Sequence, residues 1–246
     1  MQTGDNYKKP AISNPPLPGS NSLLSLLQLA DPALPIGGFS HSAALETYVQ
    51  HGIVKDAATA KEFIIQMLQQ NLKYTDAAFV SLAYDAAEHD NLHEILSLDN
   101  TCSAVKLPLE MRQASIKMGM RLLKIFQSVC KSEMIIEYKR LITEFAAAGH
   151  YSIVFGICSM SLGISKFDAL VGFYYNAASG MVTNNVKLVP LSQQAGQELL
   201  FSLQPLISNL AIESMHPLKE MLGVCCSGFD IRSMQHERLY SRLYMS

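Results

Sequence analysis

Apolar residues along this chain recur in steps of three and four, and the recurrences are interrupted by clusters of Pro, Gly, Ser and Asn. Steps of that size align side chains on one face of an α-helix; a strand would alternate every second position, and no sustained alternation occurs. The segment Ser22–Ala30 carries Leu23, Leu24, Leu26, Leu27 and Leu29 and stops at Asp31-Pro32, because the residue before a proline resists helical backbone. A helix is expected from Ala43 to Gly52, and another from Thr59, which is spaced with Glu62 as a capping box. Ile64, Leu68, Leu72, Phe79 and Leu82 continue a stripe in which Tyr74 to Ala78 leaves room for a break, so one bent helix or two fit. The clearest repeat is Leu107, Met111, Ala114, Met118, Leu122, Ile125 and Val129 behind Pro108. It predicts a long helix buried on that face, with Glu110, Arg112, Gln113, Lys117, Arg121 and Lys124 in other phases. Ser132–Ala148 reads as a helix closed by Gly149, and Tyr151–Gly163 is apolar almost all round, as a central core helix is. Phe167–Val189 and Ser192–Ile212 complete an all-α, single-domain bundle of about eight to ten helices.

Three stretches fall outside the repeats. Residues 1–20 hold Pro10, Pro15, Pro16 and Pro18 among Gly, Ser and Asn and read as a flexible arm. Asp31–Ser42 sets two prolines and a glycine pair around Leu34, Ile36 and Phe39, a shaped loop. The end, 227–246, alternates Arg238 and Arg242 with Tyr240 and Tyr244 over a stretch too short to bury itself, and reads as a docking tail beyond the helical domain 21–226.

Composition narrows the function. Of 246 residues, 49% are hydrophobic and 16% charged, which supplies a large core and leaves apolar surface over for partners. A formal charge of -2 gives no basic field for nucleic acid or an anionic membrane. The five cysteines lack paired spacing, which fits reduced thiols in a cytoplasm. No signal-peptide core follows Lys8 and Lys9, and the most apolar stretch, Ile153–Ile164, is short of the roughly 20 residues that cross a bilayer.

Spacings that carry chemistry are nearly missing. No phosphate-binding glycine loop, nucleophile elbow or zinc-protease motif is present. His89 and His93 share a helical spacing, but Asp90 and Asn91 between them read as a cap, leaving two solvated histidines. Cys225 and Cys226 are adjacent, a poor chelate geometry, and Cys102, Cys130 and Cys158 sit where a cysteine serves as a small apolar residue. His41, flanked by Ser40 and Ser42, has the neighbours of a general base, yet no acid partner stands nearby in sequence. His236 and Glu237 read as a solvated pair in the tail. Catalytic, cofactor and metal assignments are therefore none.

The segment LLQLADPALPIGGFSHSAALE, Leu26–Glu46, resembles the N-terminal signature of the UreF family of urease accessory proteins. RQAS at Arg112–Ser115, GHYSIVFG at Gly149–Gly156, KLVPLSQQAGQ at Lys187–Gln197 and the ending HERLYSRLYMS extend the resemblance over most of the chain. It implies a helical homodimer that joins UreD, also called UreH, to the nickel-carrying GTPase UreG, and through them serves apo-urease. It also implies that the loop, with Pro35, Gly37, Gly38, Phe39, Ser40 and His41, and the tail, with Arg238, Tyr240, Arg242, Tyr244 and Ser246, are partner-sensitive. Arg242 and Tyr244 would be the anchors. Glu46 and Lys187 take a role if the chain influences GTP hydrolysis by UreG; otherwise they read as an early-helix carboxylate and a surface lysine. Two departures stand out. The usual RLF-R-S ending is Arg242, Leu243, Tyr244, Met245 and Ser246, with one charge fewer, and PLGQ is Pro190, Leu191, Ser192 and Gln193, where Ser192 fits a helix N-cap.

Two other classes compete with a scaffold. A cofactor-independent helical hydrolase would use His41 with Ser40 or Ser42. A binder of a small apolar ligand would line a cavity with some of the 12 methionines.

Overall fold

A computed structural model describes residues 20–38, 41–42, 44–130, 132–224 and 226–244. Among the described residues there are helices and no strand. In chain order they are α1 (Ser20–Leu29), α2 (Leu45–Gln50), α3 (Ala57–Gln66), a π-helical segment (Met67–Ala77), α4 (Ala78–Glu88), α5 (Leu92–Val105) and α6 (Leu109–Phe126). Then follow α7 (Glu133–Thr143), α8 (Tyr151–Ser161), α9 (Lys166–Leu188), α10 (Gln193–Ser202), α11 (Gln204–Glu213), a 3₁₀ turn (Lys219–Met221) and α12 (Ser227–His236). With α3 to α4 taken as one rod and α10 with α11 as one bent helix, the units number ten. The all-α expectation holds.

The sequence signals act locally, with three corrections. The capping box belongs to Asp56: its carboxylate accepts from Thr59 N at 2.9 Å, and the Thr59 hydroxyl accepts from Asp56 N at 3.1 Å, so Thr59 is the reciprocating residue and not the cap. The stretch Tyr74–Ala78 holds no break, because the rod widens into π-helical turns that return both Leu68 and Phe79 to the core. The helix foreseen to Ala148 stops at Thr143, since the backbone after it is drawn to a buried carboxylate described below. Elsewhere the caps agree: Asn91 accepts from Glu94 N at 3.0 Å and Ser192 Oγ from Ala195 N at 3.0 Å. His89 and His93 are exposed on either side of Asp90.

Helix α8 is the axis of the molecule, with every residue from Tyr151 to Ser159 buried. α4 crosses it at Gly156, where a Cβ would stand 2.5 Å from the Val80 carbonyl oxygen. α6 crosses its start at Gly119, where a Cβ would stand 2.8 Å from Tyr151 N. Such backbone contact is open only to glycine. It also shifts the buried face of α6: Ala114, Ser115, Gly119, Leu122, Leu123 and Phe126 face inward, while Leu107 and Val129, the ends of the expected stripe, are exposed. α9 closes the other side, and Tyr151, Phe155 and Phe173 form a cluster with ring centroids 5.2 to 5.8 Å apart. Cys102, Cys130 and Cys158 are buried and free, as small apolar residues. Among the described residues no helix is long and apolar enough to cross a membrane.

The chain end is not a loose tail. α12 packs on α2 and α6 and buries Phe229 and His236, and Tyr244 beyond it is only 6% exposed. The short stretch does bury itself, because α2 and α6 supply the apolar and acidic partners that it lacks alone.

Candidate functional site

The end of α12 and the residues after it are fastened by two carboxylates. Glu46, in the first turn of α2, is 5% exposed, and Glu110 lies in the first turn of α6. Between them sits the His236 ring, fully buried, with Nε2 2.9 Å from Glu46 Oε2 and Nδ1 2.9 Å from Glu110 Oε2. Whichever nitrogen carries the hydrogen, a carboxylate is in place to accept it. Glu46 also accepts the backbone N–H of Leu243 at 2.7 Å and of Tyr244 at 3.1 Å. Glu110 takes the Arg242 guanidinium at 2.5 Å. Gln50 reaches the Ser241 carbonyl at 3.3 Å, and the Thr47 hydroxyl donates to the Arg232 carbonyl at 3.1 Å. The Tyr244 ring enters the body with Lys187 Nζ of α9 6.0 Å from its centroid. Burial, and then the Glu46 charge, raise the pKa of that phenol.

The loop residues 35–38 and 41 lie beside this clasp, on α6 and α9. Arg121 donates to the Ile36 carbonyl at 3.2 Å, and Asn184 donates to the His41 carbonyl at 2.9 Å. Gly37 has φ +89°, a conformation that disfavours any other residue, and a Cβ there would displace the tip of Arg121. Pro35 and Gly38 are exposed. His41 is half-buried, and burial, followed by the charges of Lys117 and Arg121, lowers its pKa. The expected loop and tail residues therefore share one face, joined through α6. Phe39, Ser40 and Ser246 lie outside the described residues, as does Met245.

Among the residues singled out, Glu46 and Tyr244 are buried, the exposed Arg242 reaches Glu110, and Arg238 and Tyr240 are exposed. Within this chain, Arg242 and Tyr244 join the chain end to α6 and α2. His236 is no solvated surface histidine. Nor does His41 engage Ser42, whose buried hydroxyl has no hydrogen-bond partner among the described residues. A surface cleft of about 200 Å³ is bordered by the Lys73–Glu213 ion pair and by Tyr74 and His216, not by a methionine-lined cavity.

Comparison with known proteins gives the family. The UreF family model matches residues 54–204. A urease accessory protein UreF of Actinobacillus pleuropneumoniae serotype 5b is 46% identical over 222 residues, covering 90% of this chain and 98% of the relative. One from Haemophilus influenzae strain PittGG is 46% identical, covering 90% of this chain and 94% of the relative. One from Bacillus sp. strain TB-90 is 36% identical over 92% of this chain and its own full length. The chain belongs to the UreF family.

Two of the blocks that suggested UreF meet in the interior. Asp99 of α5, fully buried, accepts the Tyr138 hydroxyl at 2.8 Å and the backbone N–H groups of Ala148, Gly149 and His150 at 2.5, 3.2 and 3.1 Å. His150, also fully buried, lies with Nε2 2.8 Å from Ser103 Oγ and Nδ1 3.1 Å from Ser115 Oγ. Two hydroxyls that donate or accept satisfy a neutral ring in either tautomer. Burial drives its pKa down to about 4. Burial, and then Asp99, hold the Tyr138 phenol well above its ordinary value, so it keeps the proton it donates. Thus Ser115 of RQAS and Gly149-His150 of GHYSIVFG close one polar knot in an apolar core. Sequence reading missed Asp99 and His236 as buried groups, and Glu110 as a partner of His236. One signal was available: a lone acid at a core phase of a helix, such as Asp99 one turn after Ile95 and three before Cys102.

Proposed function

We propose that this UreF-family chain is a non-catalytic scaffold of urease maturation in the cytoplasm. It works as a homodimer, joins UreD (UreH) to the GTPase UreG, modulates GTP hydrolysis there, and through both partners serves nickel insertion into apo-urease. Membership of the family supports the urease connection. The observation that carries the scaffold reading is the clasp: acidic residues of α2 and α6 hold the segment after α12 on the same face as loop residues 35–38 and 41, leaving Tyr240 and Leu243 exposed. Apolar residues facing solvent on a pinned, shaped segment suit a protein partner. The outward leucines of α1, Leu23, Leu24 and Leu27, are further apolar surface of this kind.

The test is co-purification with UreD and UreG, followed by urease activation with and without the chain. Binding of both partners, lost on removing residues 238–246, is the expected result. A folded chain that binds neither partner and leaves activation unchanged refutes the reading.

A further inference from the structure

Two fully buried histidines of this chain face opposite kinds of neighbour. The His150 ring meets the Ser103 and Ser115 hydroxyls, each of which donates or accepts, so a ring with one hydrogen satisfies both contacts. The His236 ring meets carboxylate oxygens on both sides, Glu46 Oε2 at Nε2 and Glu110 Oε2 at Nδ1, each at 2.9 Å. An ionised carboxylate accepts and cannot donate. With a single hydrogen on the ring, one nitrogen would turn its lone pair toward an oxygen lone pair across 2.9 Å, and the ring is sealed from solvent that could relieve the contact.

The clasp therefore holds two hydrogens between ring and acids. The remaining contacts indicate where the second one resides. Both Glu46 oxygens take a backbone N–H, from Leu243 and from Tyr244, and Glu110 Oε1 takes the Arg242 guanidinium. Donors in that number suit two ionised acids, which leaves the second hydrogen on the ring. An imidazolium also balances the cluster, with His236 and Arg242 against Glu46 and Glu110.

We propose that the clasp is a proton-dependent latch, closed while His236 is doubly protonated between Glu46 and Glu110 and loosened when that ring gives up a proton. The closed clasp binds one proton more than an opened clasp with a neutral ring, so closure is favoured in mildly acid solution and lost as pH rises. Losing the proton leaves a net negative cluster and sets one carboxylate against a bare nitrogen. Two other charged or titratable groups approach the clasp: His41 of the loop, which senses Glu110, and Lys187 of α9, beside the Tyr244 ring. Burial, then Lys117 and Arg121, lower the pKa of His41, and burial takes that of His150 to about 4. Both rings are neutral above about pH 7 and supply no change beyond it. The latch belongs to this chain alone, whatever partner meets it.

The experiment reads the ring and the segment in the full chain. Long-range proton–nitrogen spectra of histidine-labelled protein, with the His236 signal assigned by its loss in His236→Gln, show how many ring nitrogens carry hydrogen. Trypsin cleavage after Arg242, scaled to a free peptide of residues 232–246 at the same pH, measures opening. A doubly protonated ring is expected at about pH 6. At about pH 9 the ring should be singly protonated and cleavage at least about tenfold faster, with unchanged near-ultraviolet circular dichroism. Glu110→Gln separates a latch from a merely structural contact. Its amide donates to an unprotonated Nδ1 while Nε2–H donates to Glu46, so this variant should stay shut at both pH values. A singly protonated wild-type ring at about pH 6, or equal protection at both pH values, overturns the inference. Opening at high pH that persists in Glu110→Gln overturns it as well, because another group then carries the effect. If Glu110→Gln does not fold, the wild-type ring spectrum and cleavage profile decide alone.

Discussion

The molecule uses one device twice, a buried carboxylate that gathers successive backbone N–H groups beside a histidine, and the two settings differ in depth. At Asp99 most partners belong to the core: Tyr138, Gly149 and His150 are buried, with Ala148 half-buried, and His150 is held by Ser103 and Ser115. At Glu46 the partners are the last turn of α12 and the chain end, with solvent one residue away at Leu243. A donor stranded in the core has no water to turn to and forfeits its full desolvation cost. A donor stranded at the edge is rehydrated when the segment lifts. Identical chemistry thus closes the fold in one place and fastens a releasable segment in the other.

The comparison breaks most sharply at Asp99. Asp99→Ala strands the Tyr138 hydroxyl and three N–H groups, at about 1–3 kcal/mol for each group that stays unpaired. A loss of about 4 kcal/mol or more is expected from urea midpoints, or no folded protein at all; a loss smaller than that of Glu46→Ala would reverse the ranking. The next effect is on pH. With the His150 pKa near 4 in the folded chain against 6.5 ordinarily, both states hold a neutral ring above about pH 6.5. Between there and about 4 the unfolded chain takes up a proton that the folded chain refuses. Stability is therefore lost as pH falls through that window, by up to about 1.4 kcal/mol per unit, and His150→Gln should flatten the slope of urea midpoint against pH.

Glu46→Ala should cost less, about 1–2 kcal/mol, but open the segment after His236 to protease while the core keeps its protection in hydrogen exchange. Uniform loss of protection would make the clasp part of the core and erase the distinction. Smallest is Arg242→Ala, which removes a partly exposed ion pair with Glu110 and should change the urea midpoint by less than about 1 kcal/mol. Its protease sensitivity after His236 should lie between wild type and Glu46→Ala.

The sequence by itself determined most of the helices, α12 within the expected tail excepted, since helical spacing, caps and glycine stops are written within one or two turns of chain and act there. Tyr151–Ser159 was legible as the centre because no face of it is polar, and Ser192 as a cap because its neighbours demand one. The UreF signatures were legible as words, though not as a site. The apolar repeat marked the buried side of α6 through Ala114 and Leu122, and tertiary structure decided how closely that side approaches, because Gly119 meets the backbone of Gly149–Tyr151. It alone brought Asp99, Glu46 and His236 into the interior and drew the Tyr244 ring in beside Glu46. Glu46 and His236 stand 190 positions apart, and each looks solvated in its own window. Periodicity is a local property of the backbone, whereas the pairing of a buried charge is settled only when distant helices arrive together and exclude the water that would otherwise have served it.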